Sequence, residues 1–255
     1  MAIAALYDIH ANLTALKAVV EELKKYPVTQ IVIGGDVIAG PQPIETLELL
    51  QEVTTPTYFV RGNAESDLLR YLNGEQAGGL SANADEITSW VAKQLTSSHQ
   101  QFIASWQPYV ELTDSIWGQM VFCHASLRSD TEIFTRLSSK EKLCTIFQDV
   151  HASTIVCGHT HMQFNKTIAD KRIINAGSVG MPFAKPGAQW LLLNEQANLM
   201  HTNYDVNQAA EQIKQTSYPQ RDAFIKENIL TMPTEEQALK ILSDLEQKQT
   251  AFQTV

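Results

Sequence analysis

Short apolar runs recur along the chain, and each closes on a polar residue or a glycine: AIAALYD (2–8), QIVIGGD (30–36), TYFVRGN (57–63), QMVFCHA (119–125), TIVCGH (154–159), RIINAG (172–177) and QWLLLN (189–194). Their length and their Val, Ile and Phe content predict buried strands rather than helices. Between the first two, Leu13, Leu16, Val19, Val20 and Leu23 repeat at helical spacing, with Pro27 just beyond. Ile44, Leu47 and Leu50, behind Pro43, predict a second helix. The chain therefore opens as β-α-β-α-β, the pattern of a largely parallel sheet with helical crossovers.

Residues 64 to about 115 change character, with helical patterns over 65–72, 83–95 and 98–106. They predict a helical insertion beside the sheet edge, in which Trp90 and Trp106 are read as packing aromatics in preference to base-stacking surfaces. After Tyr204 the strand pattern stops, and 206–216 and 235–249 read as helices, with Pro219 and Pro233 between them. The last helix puts Ala238, Ile241, Leu242 and Leu245 on one face. That face needs cover, from the body of this chain in preference to a second copy in a homo-oligomer. The expected organisation is an α/β domain over 1–205 and a C-terminal helical extension, 206–255, packed on it.

At 255 residues and 44% apolar, the chain can bury a sizeable core. Its net charge of -9 and scattered Lys and Arg oppose binding to nucleic acid or anionic lipid. A phosphate handled by so acidic a protein must meet locally supplied positive charge, which bound metal ions can provide. Cys123 and Cys157 lie in apolar, β-branched runs and read as core thiols, so no disulfide is expected. No run reaches the ~18 apolar residues of a membrane span. The opening MAIAALYDIH lacks a basic stretch and meets Asp8 and His10 too early for a secretory leader, so a cytoplasmic protein is expected.

The polar residues that close the runs carry the chemistry. Asp8 and His10 follow the first predicted strand, Asp36 ends the second 28 residues after Asp8, and Asn63 ends the third 27 residues later. Near-equal intervals are what successive strand-helix units give, so these groups should meet at the carboxyl edge of the sheet, where α/β proteins build their sites. Two further strands end in His124 and in Gly158-His159-Thr160-His161. Singly, each residue is an ordinary turn, cap or structural histidine. Together they form an ordered set of seven nitrogen and oxygen donors, too many for one ion with an open position and suited to two ions sharing a carboxylate. Imidazole with carboxylate and amide oxygen favours Mn, Fe, Zn or Co over Ca or Mg alone.

The blocks DIH, GGD, RGN, CHA and GHTH resemble, in order, the five signature blocks of the calcineurin-like metallophosphoesterases, and NAGSVGMP (175–182) resembles a further loop of their bacterial and archaeal branch. The resemblance covers roughly residues 1–205. It implies a four-layer α/β/β/α sandwich of two mixed sheets, and two divalent or trivalent metal ions, manganese first, with Fe, Zn, Co or Ni as alternatives. It implies Asp8, His10 and His161 on one ion, Asn63, His124 and His159 on the other, and Asp36 bridging. Asp36, Asn63, His124 and Arg61 are the implied catalytic residues, with Arg61, Asn63 and His124 touching the substrate. The implied reaction is hydrolysis by a hydroxide generated between ions about 3.5–4 Å apart. Asn175, Gly177, Ser178 and Gly180 are expected to shape the loop near His161, and Arg128 is expected at the surface.

One block departs from the pattern. The family's third block ordinarily continues Gly-Asn-His-Asp or Gly-Asn-His-Glu, the His protonating the leaving oxygen, whereas this chain has Gly62-Asn63-Ala64-Glu65. Losing a general acid costs roughly 10²–10⁴ in rate where the leaving group needs a proton. The expected substrate is therefore a small nucleotide-like phosphodiester or phosphoanhydride, such as a dinucleoside polyphosphate. A phosphoprotein or general phosphomonoester phosphatase is the first alternative, and an inactive scaffold of the same fold is the second.

Overall fold

Alternation along the first apolar run sets the layering. In the computed structural model, which describes residues 2–75 and 81–253, this run forms β1 (Ile3–Leu6). Ile3, Ala5 and Tyr7 point into one core and Ala4 and Leu6 into another, the period-2 pattern of a strand covered on both faces. β1 pairs in parallel with β2 (Gln30–Ile33), and β2 with β3 (Thr57–Phe59). On its other side β1 pairs antiparallel with β9 (Ala188–Leu193), and β9 with β10 (Ala197–Thr202), giving the order β10-β9-β1-β2-β3. The crossovers are α1 (Leu13–Leu23), capped by the Asn12 side chain accepting from Ala15 N, and α2 (Pro43–Glu52), which starts on a proline.

A second mixed sheet runs β4-β5-β6-β8-β7, from β4 (Tyr109–Asp114), β5 (Gly118–Cys123), β6 (Thr154–Cys157), β7 (Phe164–Ile168) and β8 (Lys171–Asn175). Met120, Phe122, Val156 and Ile174 face Ile3, Ala5, Val32 and Leu191 of the first sheet. Tyr7 Oη donates to Val156 O across this gap at 3.0 Å. Val121, Cys123, Ile155 and Ile173 point the other way, onto Leu143, Ile146 and Phe147 of α6 (Lys140–Phe147). Leu16, Val19 and Leu47 cover the outer face of the first sheet. Helix, sheet, sheet, helix is thus the order of layers. Each fully buried Val, Leu, Ile, Met or Phe side chain among these contributes about 1.5–3 kcal/mol.

All seven runs read as strands are strands. The three unread strands, β4, β7 and β10, lie at sheet edges. There one face is wet, and sequences such as YVELTD and FNKTI carry too few apolar residues to stand out. β4 also shortens the helical stretch expected to reach about residue 115. Its helices, α3 (Asn63–Leu72), α4 (Ala82–Ala92) and α5 (Ser97–Ala104), end at Ala104, and Tyr109–Asp114 pairs with β5. Trp106 is buried, stacked on Phe59 at 5.1 Å and edge-on to Phe102. Trp90 meets Tyr218 edge-on at 5.4 Å. Both are packing aromatics.

The C-terminal helices are α7 (Val206–Lys214), α8 (Arg221–Phe224), which runs into a π-helical stretch at Ile225–Leu230, and α9 (Glu235–Gln253). Ala209, Ile213, Tyr218, Phe224 and Ile229 form a core that also takes in Ile87 and Trp90 of α4 and Met181. On α9 the buried stripe is Ala238, Leu239 and Leu242, against Met162, Ile133 and Phe183. Ile241 and Leu245, expected on the covered face, are exposed, because the helix is rotated toward Leu239. No helix among the described residues is long and apolar enough to cross a membrane.

Candidate metal centre

The parallel strands β1, β2 and β3 end at one edge, and the parallel pair β5 and β6 ends opposite. Just beyond them the chain turns sharply. Asp8, His10, Asp36, His159 and His161 all adopt left-handed backbone, with φ of 52°, 47°, 49°, 64° and 56°. For residues with a Cβ this costs about 1–3 kcal/mol each and persists only where the surroundings enforce it. The enforcement is visible: Asp8 N donates to Gly35 O at 3.1 Å and His10 N to Asp36 O at 2.9 Å, so the two strand-end loops stay laddered past the sheet. Gly35 itself has φ +92°, and a Cβ there would strike Gly62 N. At Gly62 a Cβ would strike Asp36 Oδ1. The glycines of GGD and RGN are therefore what let the two loops touch.

These turns bring together the seven residues expected from sequence. His161 Nε2 lies 3.3 Å and His124 Nε2 3.8 Å from Asp8 Oδ1. Asp36 reaches both ways, Oδ1 lying 3.6 Å from His124 Nε2 and Oδ2 4.0 Å from His10 Nε2. Two groups, Asp8-His10-His161 and Asp8-Asp36-His124, each have donor atoms within 4.8 Å of one another. The His159 ring meets that of His124 at 5.1 Å, and Asn63 opens α3 at the rim.

The polarity of this cluster fits cations. His10 Nδ1 bonds to Ala39 O at 3.0 Å, His124 Nδ1 to Gly34 O at 2.8 Å and His161 Nδ1 to Met181 O at 2.9 Å. A carbonyl only accepts, so each Nδ1 carries the proton and each Nε2 of the neutral ring presents a lone pair. His10 Nε2 and His161 Nε2 then face one another at 3.2 Å with nothing to donate. Asp8 Oδ1, Asn63 Oδ1 and His124 Nε2 are buried and take no hydrogen bond from protein. Such an array of acceptors is costly unless positive charge sits among them.

The charges within the cluster shift its titration in both directions. Burial pushes the Asp8 carboxyl upward, but His161, His124 and His10 outweigh it and hold Asp8 well below the usual carboxylate range. Burial and the charge of His124 push His159 down to about 4. For His124 and His161 burial also works downward, and the carboxylates of Asp36 and Asp8 overcome it, leaving both above the ordinary histidine value.

Around the donors lies a supporting shell. Glu65 is fully buried, and its two oxygens accept four backbone N–H bonds, from Asp36 (2.9 Å), Gly62 (2.9 Å), Val37 (2.8 Å) and Ile38 (3.3 Å). It is a staple between the GGD and RGN loops and faces away from the cleft. Burial first, then the Asp36 charge, push its carboxyl up to about 7, against the Gly62 and Val37 amides and the charge of His124. Asn175 donates to Gly158 O at 2.7 Å and to Thr160 Oγ1 at 3.1 Å, bracing the GHTH turn. Ser178 Oγ donates to Asp8 O and accepts from Met181 N, whose carbonyl in turn orients His161. Arg128 pairs with buried Glu132, as its expected surface role requires.

Two cavities open on the cluster. One, of about 360 Å³, is lined by His10, Asp36, Asn63, Ala64, His159 and His161, and beyond them by Ala84, Ile87 and Thr88 of α4 and by Tyr218, Gln220, Ala223, Phe224, Glu227 and Asn228. The other, of about 460 Å³, holds Arg61 and Arg70 and shares Asn63 and Asp67 with the first. Arg61 thus lies on the far side of Asn63, with its Nε buried and without a partner. Asp67 was missed in the sequence, although its position one turn after Asn63 on an amphipathic helix marks it for the same face. The wall residues Thr88, Met181, Gln220 and Glu227 carry no spacing signal, since tertiary packing alone brings them here.

Comparison with known proteins agrees with this architecture. The chain is 27% identical over 241 residues to an uncharacterized protein of Methanocaldococcus jannaschii, covering 86% of this chain and 94% of that one. In fold it is similar to the crystal structures of a hypothetical protein from Pyrococcus horikoshii OT3 (TM-score 0.75, 18% identity) and of a metallophosphoesterase from Sphaerobacter thermophilus (TM-score 0.66, 22% identity). Each of these matches covers 88% of this chain and 96% of the other. The family model described as the calcineurin-like phosphoesterase superfamily domain matches residues 1–198, and the chain belongs to that superfamily.

Proposed function

We propose that this chain is a dinuclear-metal phosphoesterase that hydrolyses a phosphodiester or phosphoanhydride bond in a small, nucleotide-like substrate. The observation that carries the reading is the inward convergence of Nε2 lone pairs and carboxylate and amide oxygens, several buried with no protein donor to meet them. Asp8, His10 and His161 would hold one ion, Asn63, His124 and His159 the other, and Asp36 would serve both. When bound, such a pair, manganese first among the choices, supplies charge neutralisation at the phosphoryl oxygens and lowers the pKa of water.

The chain's own residues do the rest. Ala39, Gly34 and Met181 carbonyls fix the ring orientations, so that little reorganisation is needed when substrate arrives. Arg61 offers a planar guanidinium beside Asn63 for a non-reacting anionic group. Ala64 lines the cavity and can donate no proton, while Glu65 is committed to four amides, which favours leaving groups that depart as stable anions. Residues 1–205 form the catalytic unit in this reading, and 206–255 an extension that completes its cavity.

The test is a manganese-supplemented panel of dinucleoside polyphosphates, cyclic nucleotides, phosphopeptides and aryl phosphates, with metal content measured in parent and Asp36→Asn. The parent should take up about two ions per chain and the variant at most about one, with anhydrides or diesters turned over ahead of phosphopeptides. Preference for phosphopeptides would instead indicate a monoester phosphatase. Unchanged ion content in Asp36→Asn would remove the basis of the proposal.

A further inference from the structure

The two cavities that meet at Asn63 and Asp67 differ in the charge and apolar surface they offer. The 360 Å³ cavity is walled by Ala84 and Ile87 of α4, Met181, Ala223 and Phe224, with Thr88, Gln220, Glu227 and Asn228 supplying polar atoms around them. Among the described residues lining it there is no Lys or Arg, whereas Asp36, Asp67 and Glu227 are acidic. Additional phosphates would find no counter-charge there beyond whatever the metal centre supplies. The volume is at the lower end of the roughly 300–1,000 Å³ typical of small-molecule sites. On the other side of Asn63, the 460 Å³ cavity also has carboxylates, but Asp67 is paired with Arg70 and Asp130 accepts from Ser66, which leaves Arg61, with its buried Nε lacking a partner, as the guanidinium not committed to a carboxylate among the described residues lining it.

Resting on the proposed function above, we infer that the α4/C-terminal cavity is a subsite for the uncharged nucleoside of the substrate, and that any further phosphates run toward Arg61. Apolar walls on α4 and Phe224 suit the faces of a heterocycle, and the Gln220, Glu227 and Asn228 side chains suit donor-bearing edges such as exocyclic amines and ribose hydroxyls. The π-helical stretch has a part in this. Its wider turn starts directly after Phe224 and carries Glu227 and Asn228, adjacent residues that both line the cavity. Glu227 excludes a second anion from this side by charge, as a repulsive element in recognition.

The experiment is equilibrium binding of adenosine 5′-monophosphate, phenyl phosphate and inorganic phosphate to manganese-loaded protein, by calorimetry, with no turnover involved. The parent should bind the nucleotide at least about tenfold more tightly than inorganic phosphate, a difference of about 1.4 kcal/mol. Ala223→Trp, at an exposed wall position, should shrink that ratio toward one. Glu227→Lys should raise inorganic phosphate affinity relative to the nucleotide. Lys226→Trp, on the same segment but outside the lining, should leave the ratio as in the parent, and matched melting temperatures would show that each variant is folded. Equal affinity of the parent for nucleotide and phosphate, phenyl phosphate binding as tightly as the nucleotide, or an Ala223→Trp ratio equal to the parent's would each overturn the assignment. A parent that binds the nucleotide as expected yet hydrolyses no diester or anhydride would sink the proposed reaction while leaving the subsite standing.

Discussion

Glu65→Gln separates two readings of a carboxylate that lies two residues beyond Asn63, which closes the third run. If Glu65 is a staple, its worth lies in four backbone N–H groups gathered from Asp36, Val37, Ile38 and Gly62. Glutamine keeps one accepting oxygen and turns an NH₂ toward the other two donors, leaving about two buried N–H groups unmet at ~1–3 kcal/mol each. Burying a neutral amide is cheaper than burying a carboxylate, which offsets part of this. A net destabilisation of about 2–3 kcal/mol should remain, which for a chain of this size lowers the melting temperature by about 4–12 °C. Because Glu65 holds the amide of Asp36, ion affinity should fall as well, by about 10–100-fold.

The assay is thermal or urea unfolding of the metal-free proteins, alongside ion titration. If Glu65 instead relays a proton to the leaving group through water, Glu65→Gln would unfold and bind ions like the parent and lose only kcat, most on alkyl esters. That pattern would refute the staple.

Three further outcomes are expected. Ala64→His, at a position lining the cavity, restores a proton donor and should raise turnover of alkyl monoesters relative to anhydrides by about 10²-fold; an unchanged ratio would break the link between Ala64 and leaving-group choice. Gly62→Ala drives a Cβ into Asp36 Oδ1 and should cut ion affinity at least about tenfold, while a parental ion isotherm would mean that the loops are not held in contact. Chelation should lower the melting temperature of the parent, because at a hundredfold excess over Kd a bound ion contributes about 2.7 kcal/mol; identical melting with and without chelator would exclude tight binding.

The donors were legible in the sequence because each follows a short strand with a clear apolar run, fully buried in β1 and β6 and half-buried in β3, and because strand-helix units repeat at similar length. Asp8, Asp36 and Asn63 announce a shared edge by spacing alone. Edge strands such as β4 and β10 were not legible, since a half-wet strand of ordinary composition looks like a loop. Nor was the rotation of α9, where Leu239 rather than Ile241 turns inward, since a helix with apolar residues on two flanks does not declare which one is buried.

The cavity wall illustrates a different limit. Gln220, Phe224, Glu227 and Asn228 reach the cleft only because Tyr218, Ile225 and Ile229 anchor their segment on Ile87, Trp90 and Met181. That anchoring is tertiary and leaves no periodic trace near the donors. These residues also lie beyond position 198, where the match to the superfamily model ends. The donors and the loops that hold them come from the matched stretch, and much of the wall opposite them comes from outside it. Chemistry and choice of substrate can therefore diverge independently. A relative with the same five blocks but a different sequence at 218–228 would be expected to keep the ions and change the group it holds beside them.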